Sequence, residues 1–274
     1  MELVGANVVI TGAASGIGRA LAVRAAAERP RALVLADQNE EALERIADEL
    51  GALAVLTDVA REPDIVRLVR RAGEHGGPID LFCSNAGIPG PGGGPEGSDA
   101  EWQRIWEINV MAHVWAARAL QPEMVARGDG YLVSTASAAG LLTQVSALPY
   151  TVTKHAAVAV AEWLAVNYAD AGIKVSCVCP LGVRTPMLEV ALGDPVGAAT
   201  LLADQLLEPE DVAEAVIAGI REERFLILPH AAVAKHIALK GAEPERWLAG
   251  MRRLVRRARA AQEHSQSEGP LGEC

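Results

Sequence analysis

Near the start of the chain stands the sequence NVVITGAASGIGRALAVRAAAE, residues 7–28. Its first five residues are mostly β-branched, as in a buried strand, and the residues from Gly16 onward follow an alanine-rich helical pattern. Between them the spacing Gly-x-x-x-Gly-x-Gly, formed by Gly12, Gly16 and Gly18, is a variant of the dinucleotide-binding fingerprint. Glycines let the backbone approach a pyrophosphate closely, and a helix N-terminus offers free N–H groups to it. The stretch therefore predicts a nucleotide-binding strand–turn–helix unit.

Strand-like and helical segments alternate from this unit to about residue 228. Near-continuous apolar strands separated by helices are typical of a parallel sheet covered on both faces. We therefore predict an α/β fold, a Rossmann-like doubly wound parallel sheet of about seven strands in a single domain. The predicted strands are residues 7–11, 32–36, 53–57, 79–84, 131–135, 174–179 and 225–228, and the predicted helices are residues 16–28, 40–50, 62–74, 99–125, 155–169 and 211–221.

The C-terminal region departs from this alternation. We predict an amphipathic helix over residues 243–262, packed on a Rossmann domain of residues 1–242, and a disordered tail over residues 263–274. The arginine face of the helix is expected to be solvated, with a site for an anionic partner as the alternative. The apolar stripe comprises Trp247, Leu248, Met251, Leu254 and Val255, and the arginines are Arg252, Arg253, Arg256, Arg257 and Arg259.

The composition argues against several classes of protein. The 274 residues are 50% hydrophobic and carry a formal net charge of −10, which disfavours nucleic acid as a partner. No apolar run reaches membrane-spanning length, and the N-terminus lacks the features of a signal peptide. The four cysteines follow no ligand spacing, so we expect reduced, buried thiols, no metal site and a cytoplasmic location.

A second informative stretch covers residues 134–154. Tyr150 and Lys154 are four residues apart in a helical segment, so their side chains share one face. An ammonium beside a phenol favours the phenolate, and we therefore expect a lowered tyrosine pKa and proton exchange near neutral pH. Ser137, at the end of a predicted strand, would hold the same substrate oxygen. Taken alone, such a pair is more often found on a solvated helix surface.

Polar residues also follow several of the predicted strands. Asp37 ends the second strand, where an acid binds the ribose hydroxyls of NAD, with a capping aspartate as the alternative. Asp58 follows the third strand and Asn85-Ala86-Gly87 the fourth, at the carboxyl ends where open α/β sheets bind ligands. Asn109 falls inside a predicted helix, where a polar residue is usually solvated or satisfied.

Together and in this order, the motifs resemble the short-chain dehydrogenase/reductase family over about residues 5–228. The resemblance implies NAD as cofactor and a small-molecule alcohol or ketone as substrate, while the net charge and the lack of a membrane-spanning run predict neither nucleic acid nor membrane as partner. It also implies a homo-oligomer, a dimer or tetramer, as does the apolar surplus on the two longest predicted helices. The chain departs from the family in Pro180-Leu181-Gly182, where the glycine stands one place later, and in the region after Pro229.

The resemblance implies roles for the matching residues. Tyr150 would be the general acid/base and Ser137 would orient the substrate oxygen. Lys154 would hold the nicotinamide ribose and lower the pKa of the tyrosine, and Asn109 would help to keep a proton-relaying water. The implied catalytic residues are Asn109, Ser137, Tyr150 and Lys154.

For the cofactor, the resemblance places Asp58 at the adenine ring and Val183 and Thr185 at the carboxamide. The implied cofactor-binding residues are Gly12, Ser15, Gly16, Ile17, Gly18, Asp37, Asp58, Val59, Asn85, Ala86, Gly87, Tyr150, Lys154, Pro180, Val183 and Thr185.

Two functions from different classes follow from these observations. An NAD-dependent oxidoreductase that interconverts a secondary alcohol and a ketone is favoured, and a catalytically silent NAD-binding sensor or scaffold is the alternative. The loops expected at the pocket are mostly apolar, which favours an apolar or cyclic alcohol. The expected pocket residues are Leu141, Leu142, Gln144, Val145, Leu148, Met187, Leu188, Glu189 and Leu192.

Overall fold

Seven parallel strands form one sheet in this computed structural model, which describes residues 1–202 and 204–267, with side chains as far as residue 263. The strand order is 3-2-1-4-5-6-7, so the order reverses between the first and fourth strands, where open α/β sheets bind ligands at their carboxyl ends. The strands are β1 Asn7–Thr11, β2 Ala32–Asp37, β3 Leu53–Leu56, β4 Leu81–Ser84, β5 Gly130–Thr135, β6 Ile173–Val178 and β7 Leu226–Ile227.

Helices cover both faces of the sheet and bury two separate apolar cores. Successive strand residues alternate between the cores, with Val9 in one core and with Val8 and Ile10 in the other. The helices are α1 Gly16–Ala27, α2 Glu40–Leu50, α3 Glu62–Gly76, α4 Asp99–Trp106, α5 Ala112–Arg127, α6 Leu148–Tyr168, α7 Pro186–Leu192, α8 Pro195–Leu201, α9 Pro209–Arg221, α10 Ala231–Ala242 and α11 Pro244–Ser267.

This arrangement confirms the predicted Rossmann-like fold, and most element ends differ from the predicted ones by a few residues. The largest difference is the start of α6, at Leu148 instead of residue 155, so that the helix includes Tyr150 and Lys154. Two elements differ in kind. The helix predicted over residues 99–125 contains a π-helical segment, Glu107–Met111, between α4 and α5, which inserts an extra residue in the turn around Asn109. Helix α10 was not predicted, because its sequence lacks a clear amphipathic stripe and only Val233 is buried.

The C-terminal helix α11 lies beside α8 and α10 and runs on to Ser267, past the predicted end at residue 262. Trp247 is only 8% exposed, whereas Leu248 is 49% exposed, so the predicted apolar stripe does not include Leu248. The stripe is narrower than expected because α11 packs at the rim of the domain and buries one edge. Residues 268–274 of the predicted tail lie outside the described residues.

The interior and surface bear on two other predictions. Cys83, Cys177 and Cys179 are free and buried, as expected of reduced structural thiols, while Cys274 lies outside the described residues. None of the described helices is both long enough and apolar enough to cross a membrane. The homo-oligomer stays a prediction. On α6, one of the helices whose apolar surplus motivated it, the large apolar side chains that are exposed are Leu148, Val152, Trp163 and Val166.

Candidate active site

The turn between β1 and the start of α1, residues 12–18, forms a glycine cradle that leaves no room for a side chain at Gly12 or Gly18. A Cβ atom added at Gly12 would lie 2.8 Å from Cα of Ala86, and one at Gly18 would lie 2.5 Å from Nδ2 of Asn85. Gly12 also adopts a φ of +66°, which favours glycine. Asn85 ties the neighbouring strand to this turn, because its amide Nδ2 donates to the carbonyl of Thr11 at 3.0 Å. The bare turn leaves backbone N–H groups open to a phosphate at the start of α1.

Asp37 stands beside this cradle at the tip of β2. Its carboxylate accepts hydrogen bonds from the backbone N–H groups of Ala14 and Asn39, both at 3.0 Å. These bonds fix the carboxylate in the cavity wall, beside the glycine turn. The neighbouring cation Arg19 forms an ion pair with Glu49 of α2 at 3.3 Å and does not line the cavity.

The predicted cofactor-binding residues converge on one large cavity of about 630 Å³. It runs along the carboxyl ends of the strands, and every one of the predicted cofactor-binding residues lines it. Asp58 is held there by an accepted hydrogen bond from the N–H of Ala60 at 3.0 Å, and Arg104 lies 3.5 Å from its other oxygen. The shape and the glycine cradle therefore fit a dinucleotide.

Three of the four predicted catalytic residues line the same cavity. Lys154 is 3% exposed, its Nζ donates to the carbonyl of Thr135 at 3.0 Å, and it lies 5.7 Å from the centre of the Tyr150 ring. The Ser137 hydroxyl accepts a hydrogen bond from the N–H of Ala139 at 3.1 Å. The end of β5 and the first turns of α6 thus hold a hydroxyl, a phenol and an ammonium side by side.

Asn109, the fourth of these residues, is fully buried behind the cavity wall. Its side chain accepts from the N–H and donates to the carbonyl of Ile88, both at 3.0 Å, and also donates to Thr153 at 3.3 Å. A Cβ atom added at Gly87 would lie 3.3 Å from Asn109 Oδ1 and 3.4 Å from Lys154 Nζ, so only a glycine separates the two side chains. The π turn aims Asn109 inward, away from solvent.

The electrostatics of the tyrosine and lysine contradict one expectation. Burial raises the pKa of Tyr150 above its ordinary value, and the neighbouring Ser137 hydroxyl only partly offsets this effect. Burial also lowers the pKa of Lys154 to about 8. The predicted lowering of the tyrosine pKa by the ammonium is therefore wrong for the protein without a bound cofactor, because removal of the phenolate from water is the largest influence on this pKa.

The buried ammonium predicts a pH-dependent stability for Lys154→Met. The pKa of this lysine is lower in the folded than in the unfolded chain, so the unfolded state binds more protons between about pH 8 and 10.5. The wild type therefore gains stability relative to the variant as the pH rises through this window. We expect Lys154→Met to be more stable by about 1–3 kcal/mol at pH 7, and by much less at pH 10.

Denaturant unfolding of both proteins at the two pH values measures this difference. The exposed Lys235→Met in α10 is the matched control and should change stability little at either pH. A Lys154→Met variant that is less stable than the wild type at pH 7 would mean that the bond to the Thr135 carbonyl outweighs the cost of burial.

The loop after β6 is held by a histidine that the sequence did not single out. His230 is 4% exposed, its Nδ1 accepts from the N–H of Leu181 at 3.2 Å, and its Nε2 donates to the carbonyl of Gly182 at 3.1 Å. This pattern requires the neutral ring, and burial lowers the pKa of His230 in the same sense. The clamp fixes the displaced glycine and with it Val183 and Thr185, which follow in the cavity wall.

A second histidine, His113, lies one turn after Asn109 in α5. It is 3% exposed, and neither ring nitrogen has a hydrogen-bond partner among the described residues. Burial and the charge of Lys154 lower the pKa of His113 to about 3, so the ring is neutral. Sequence reasoning missed it because a single histidine on a helix carries no local signal.

The part of the cavity beyond Tyr150 is mostly apolar, as expected, but its residues differ from the predicted set. Of the residues expected there, only Leu142, Gln144, Met187 and Leu188 line the cavity. Helix α11 adds an apolar wall that the sequence did not assign to the site. The residues that it and its neighbours contribute are Val190, Ala191, Trp247, Met251 and Leu254.

The residues predicted for the pocket but absent from its wall are Leu141, Val145, Leu148, Glu189 and Leu192. Leu148 begins α6, and Glu189 and Leu192 lie in α7 beside residues that do line the cavity. Arg184, the one cation near these loops in the sequence, forms an ion pair with Glu208 at 2.9 Å. Within residues 1–202 and 204–267, no group of three His, Cys, Asp or Glu side chains is placed to hold a metal ion.

Comparison with known proteins agrees with this fold. A family model described as short chain dehydrogenase matches residues 6–194. The chain is 36% identical over 257 residues to 1-deoxy-11-beta-hydroxypentalenate dehydrogenase of Streptomyces exfoliatus, covering 86% of this chain and 91% of the relative. It is 30% identical over 262 residues to human estradiol 17-beta-dehydrogenase 11, covering 93% of this chain and 84% of that protein.

A solved short-chain dehydrogenase/reductase from Burkholderia phymatum, in complex with NAD, has a TM-score of 0.81 to this structure. The two chains are 33% identical, and the match covers 89% of this chain and 96% of the other. The fold, the glycine cradle and the cavity define a Rossmann-fold oxidoreductase with a nucleotide-binding cleft. The chain belongs to the short-chain dehydrogenase/reductase family.

Proposed function

We propose that this protein is an NAD-dependent oxidoreductase that interconverts a secondary alcohol and a ketone by hydride transfer. The observation that carries the proposal is the convergence of Ser137, Tyr150 and Lys154 on the wall of the cavity that also contains the glycine cradle. A hydroxyl, a phenol and an ammonium at one point can bind an alcohol oxygen and move its proton. The opposite part of the cavity would hold the nucleotide.

In this proposal, NAD supplies the hydride acceptor for alcohol oxidation and, as NADH, the hydride donor for the reverse reaction. Ser137 orients the substrate oxygen, and Tyr150 as phenolate takes the hydroxyl proton as the carbinol C–H bond breaks. Because burial raises the pKa of Tyr150 in the protein alone, this role requires the positive charges of Lys154 and of bound NAD to favour the phenolate. Lys154 holds its positive charge beside the phenolate and the nicotinamide ribose. In the ketone-reducing direction, Tyr150 gives the same proton to the carbonyl oxygen.

The lining of the cavity supports an apolar, cyclic alcohol as substrate. The wall beyond Tyr150 is formed mostly by leucine, methionine, valine and tryptophan side chains, and its polar members include Gln144, Asp194, Asp204 and His236. Two of the relatives are named for terpenoid and steroid substrates, 1-deoxy-11-beta-hydroxypentalenate and estradiol. Buried reduced thiols also support a cytoplasmic location as part of the proposal.

The proposal is tested with purified protein, NAD and a panel of cyclic secondary alcohols that includes steroids and terpenoids. Formation of NADH, followed by its absorbance, is the expected result. A protein that binds NAD but oxidises no alcohol and reduces no ketone of the panel would favour the silent sensor instead.

The position of Asp37 predicts the choice of cofactor. Its carboxylate is fixed at the tip of β2, so the 2′-phosphate of NADP would bring two negative charges together in the cavity wall. We expect NAD to be preferred by about 10-fold to 1000-fold in kcat/KM, or about 1.4–4 kcal/mol. Asp37→Asn keeps an acceptor for the Ala14 N–H and removes the charge, so it should narrow this gap.

Steady-state kinetics with both cofactors give the two ratios directly. Gln38→Ala is the matched control, because Gln38 is the next residue, lines the same cavity and is uncharged. It should leave the ratio unchanged. Equal efficiency of the wild type with NAD and NADP would contradict the role assigned to Asp37.

A further inference from the structure

The wall of the substrate cavity contributed by α11 belongs to a part of the chain that the family match does not reach. That match ends at residue 194, whereas Trp247, Met251 and Leu254 lie at spacings of four and three residues on one face of α11. Trp247 is buried, and the other two are half-buried against the cavity. The substrate would therefore be bounded on this side by residues that lie outside the segment matched by the family model.

Lys240 joins this wall to the loop that follows Ser137. Its Nζ donates to the carbonyls of Leu141 at 2.8 Å and Leu142 at 3.0 Å, and it lies 5.3 Å from the centre of the Trp247 ring. Leu142 itself lines the cavity. The ammonium thus holds α10, the first turn of α11 and the active-site loop in one arrangement.

A second, open groove adjoins the cavity at Leu254. It lies between α8 and α11, and its small side chains leave space beside two guanidinium groups. Leu254 lines both the groove and the main cavity, so the two are neighbours across a single side chain. The groove is lined by Ala199, Gly250, Arg253, Leu254, Arg257 and Ala258.

The two arginines of the groove have no carboxylate partner within the described part of the chain. Neither Arg253 nor Arg257 forms an ion pair with a described residue, whereas Arg246 on the same helix pairs with Glu243 at 2.8 Å. They stand four residues apart on one helix face, on a protein whose net charge is −10. Paired guanidinium groups bind a carboxylate through charge-assisted, bidentate hydrogen bonds.

Building on the proposed function, we infer that the substrate is an apolar secondary alcohol that carries a carboxylate at the end remote from the reacting carbon. The apolar body lies along the α11 wall, past Trp247 and Met251, and the carboxylate reaches Arg253 and Arg257 in the groove beyond Leu254. The C-terminal helix would thus determine the substrate, while the Rossmann core supplies the cofactor site and the proton-transfer residues.

The test uses a pair of probes that differ only in this charge, 9-hydroxydecanoate and its methyl ester. Binding of each to the NAD-loaded protein is measured by calorimetry, which does not require turnover. We expect the acid to bind about 10-fold more tightly than the ester. Arg253→Gln/Arg257→Gln should abolish this difference and leave the affinity for the ester unchanged.

Arg252→Gln/Arg256→Gln is the matched control, because it removes the same charge from the same helix outside the groove. It should preserve the preference for the acid. Lys240→Met should weaken acid and ester alike, and the exposed Lys235→Met should weaken neither. Equal loss in the two double-arginine variants would mean a general charge effect and would overturn the inference.

The inference also fails if the acid binds no better than the ester or if neither probe binds. Turnover separates this failure from that of the proposed function. Oxidation of the ester, or of cyclic alcohols, without any advantage for the acid leaves the oxidoreductase intact and removes only the carboxylate site. Absence of turnover with every alcohol, together with normal NAD binding, counts against the oxidoreductase itself.

Discussion

Tyr150→Phe is expected to lower kcat by at least about 1000-fold, or about 4 kcal/mol, while the Kd for NAD changes less than about twofold. The substitution removes only the phenolic oxygen, which is the group proposed to exchange the proton with the substrate. The ring stays in place beside Lys154, and the glycine cradle that would hold the nucleotide is formed by other elements. Steady-state turnover and fluorescence titration with NAD measure the two quantities separately.

Tyr168→Phe supplies the matched control for this variant. Tyr168 ends the same helix, packs edge-on against Trp163 and does not line the cavity. Its loss of a hydroxyl should leave kcat within about twofold of the wild type. If Tyr150→Phe kept more than a few per cent of the wild-type rate, the general acid/base would have to be another group.

The second large effect is expected for Gly18→Ala, which we predict to weaken NAD binding by at least about 100-fold. The added Cβ would overlap the backbone of Gly12, at 2.7 Å from its carbonyl carbon, and would lie 2.5 Å from Nδ2 of Asn85. Neither group can move freely, because Asn85 is hydrogen-bonded to Thr11 and Thr135. Opening the turn should also cost about 1–3 kcal/mol of stability.

Calorimetric titration with NAD and denaturant unfolding measure the two parts of this prediction. Gly73→Ala is the control, because Gly73 lies inside α3 and a Cβ added there meets no atom within 4 Å. That variant should bind NAD normally and gain about 0.5–1 kcal/mol of stability. Normal NAD affinity in Gly18→Ala would show that the turn can open without losing the phosphate site.

The sequence alone determined the fold and the position of the nucleotide cradle. Both depend on local signals, namely β-branched runs, helical periodicity and glycine spacing, which act over a few residues and are visible without tertiary contacts. The spacing of Tyr150 and Lys154 likewise predicted that both would meet at one point, because the α-helix repeat is fixed. Element ends were less certain, since neighbouring strands and helices decide where a segment stops.

Only the tertiary structure decided the electrostatics and the detailed wall of the site. The direction of the Tyr150 pKa shift depends on how much water the folded chain removes from the phenol, and this burial raises the pKa. The inward position of Asn109 needed the π turn and its bonds to Ile88. Neither the burial of Tyr150 nor the inward position of Asn109 can be predicted from the spacing of residues in the sequence.

The same holds for contacts between distant parts of the chain. His230 clamps a loop 49 residues earlier in the sequence, and Lys240 bonds to the carbonyl of Leu141, 99 residues away. The sequence predicted that one face of α11 is apolar, but it did not predict that this face lines the cavity. An amphipathic pattern indicates only that one side of a helix is buried. Composition and periodicity determine whether a segment forms a helix or a strand, whereas the tertiary fold determines which other segment it packs against.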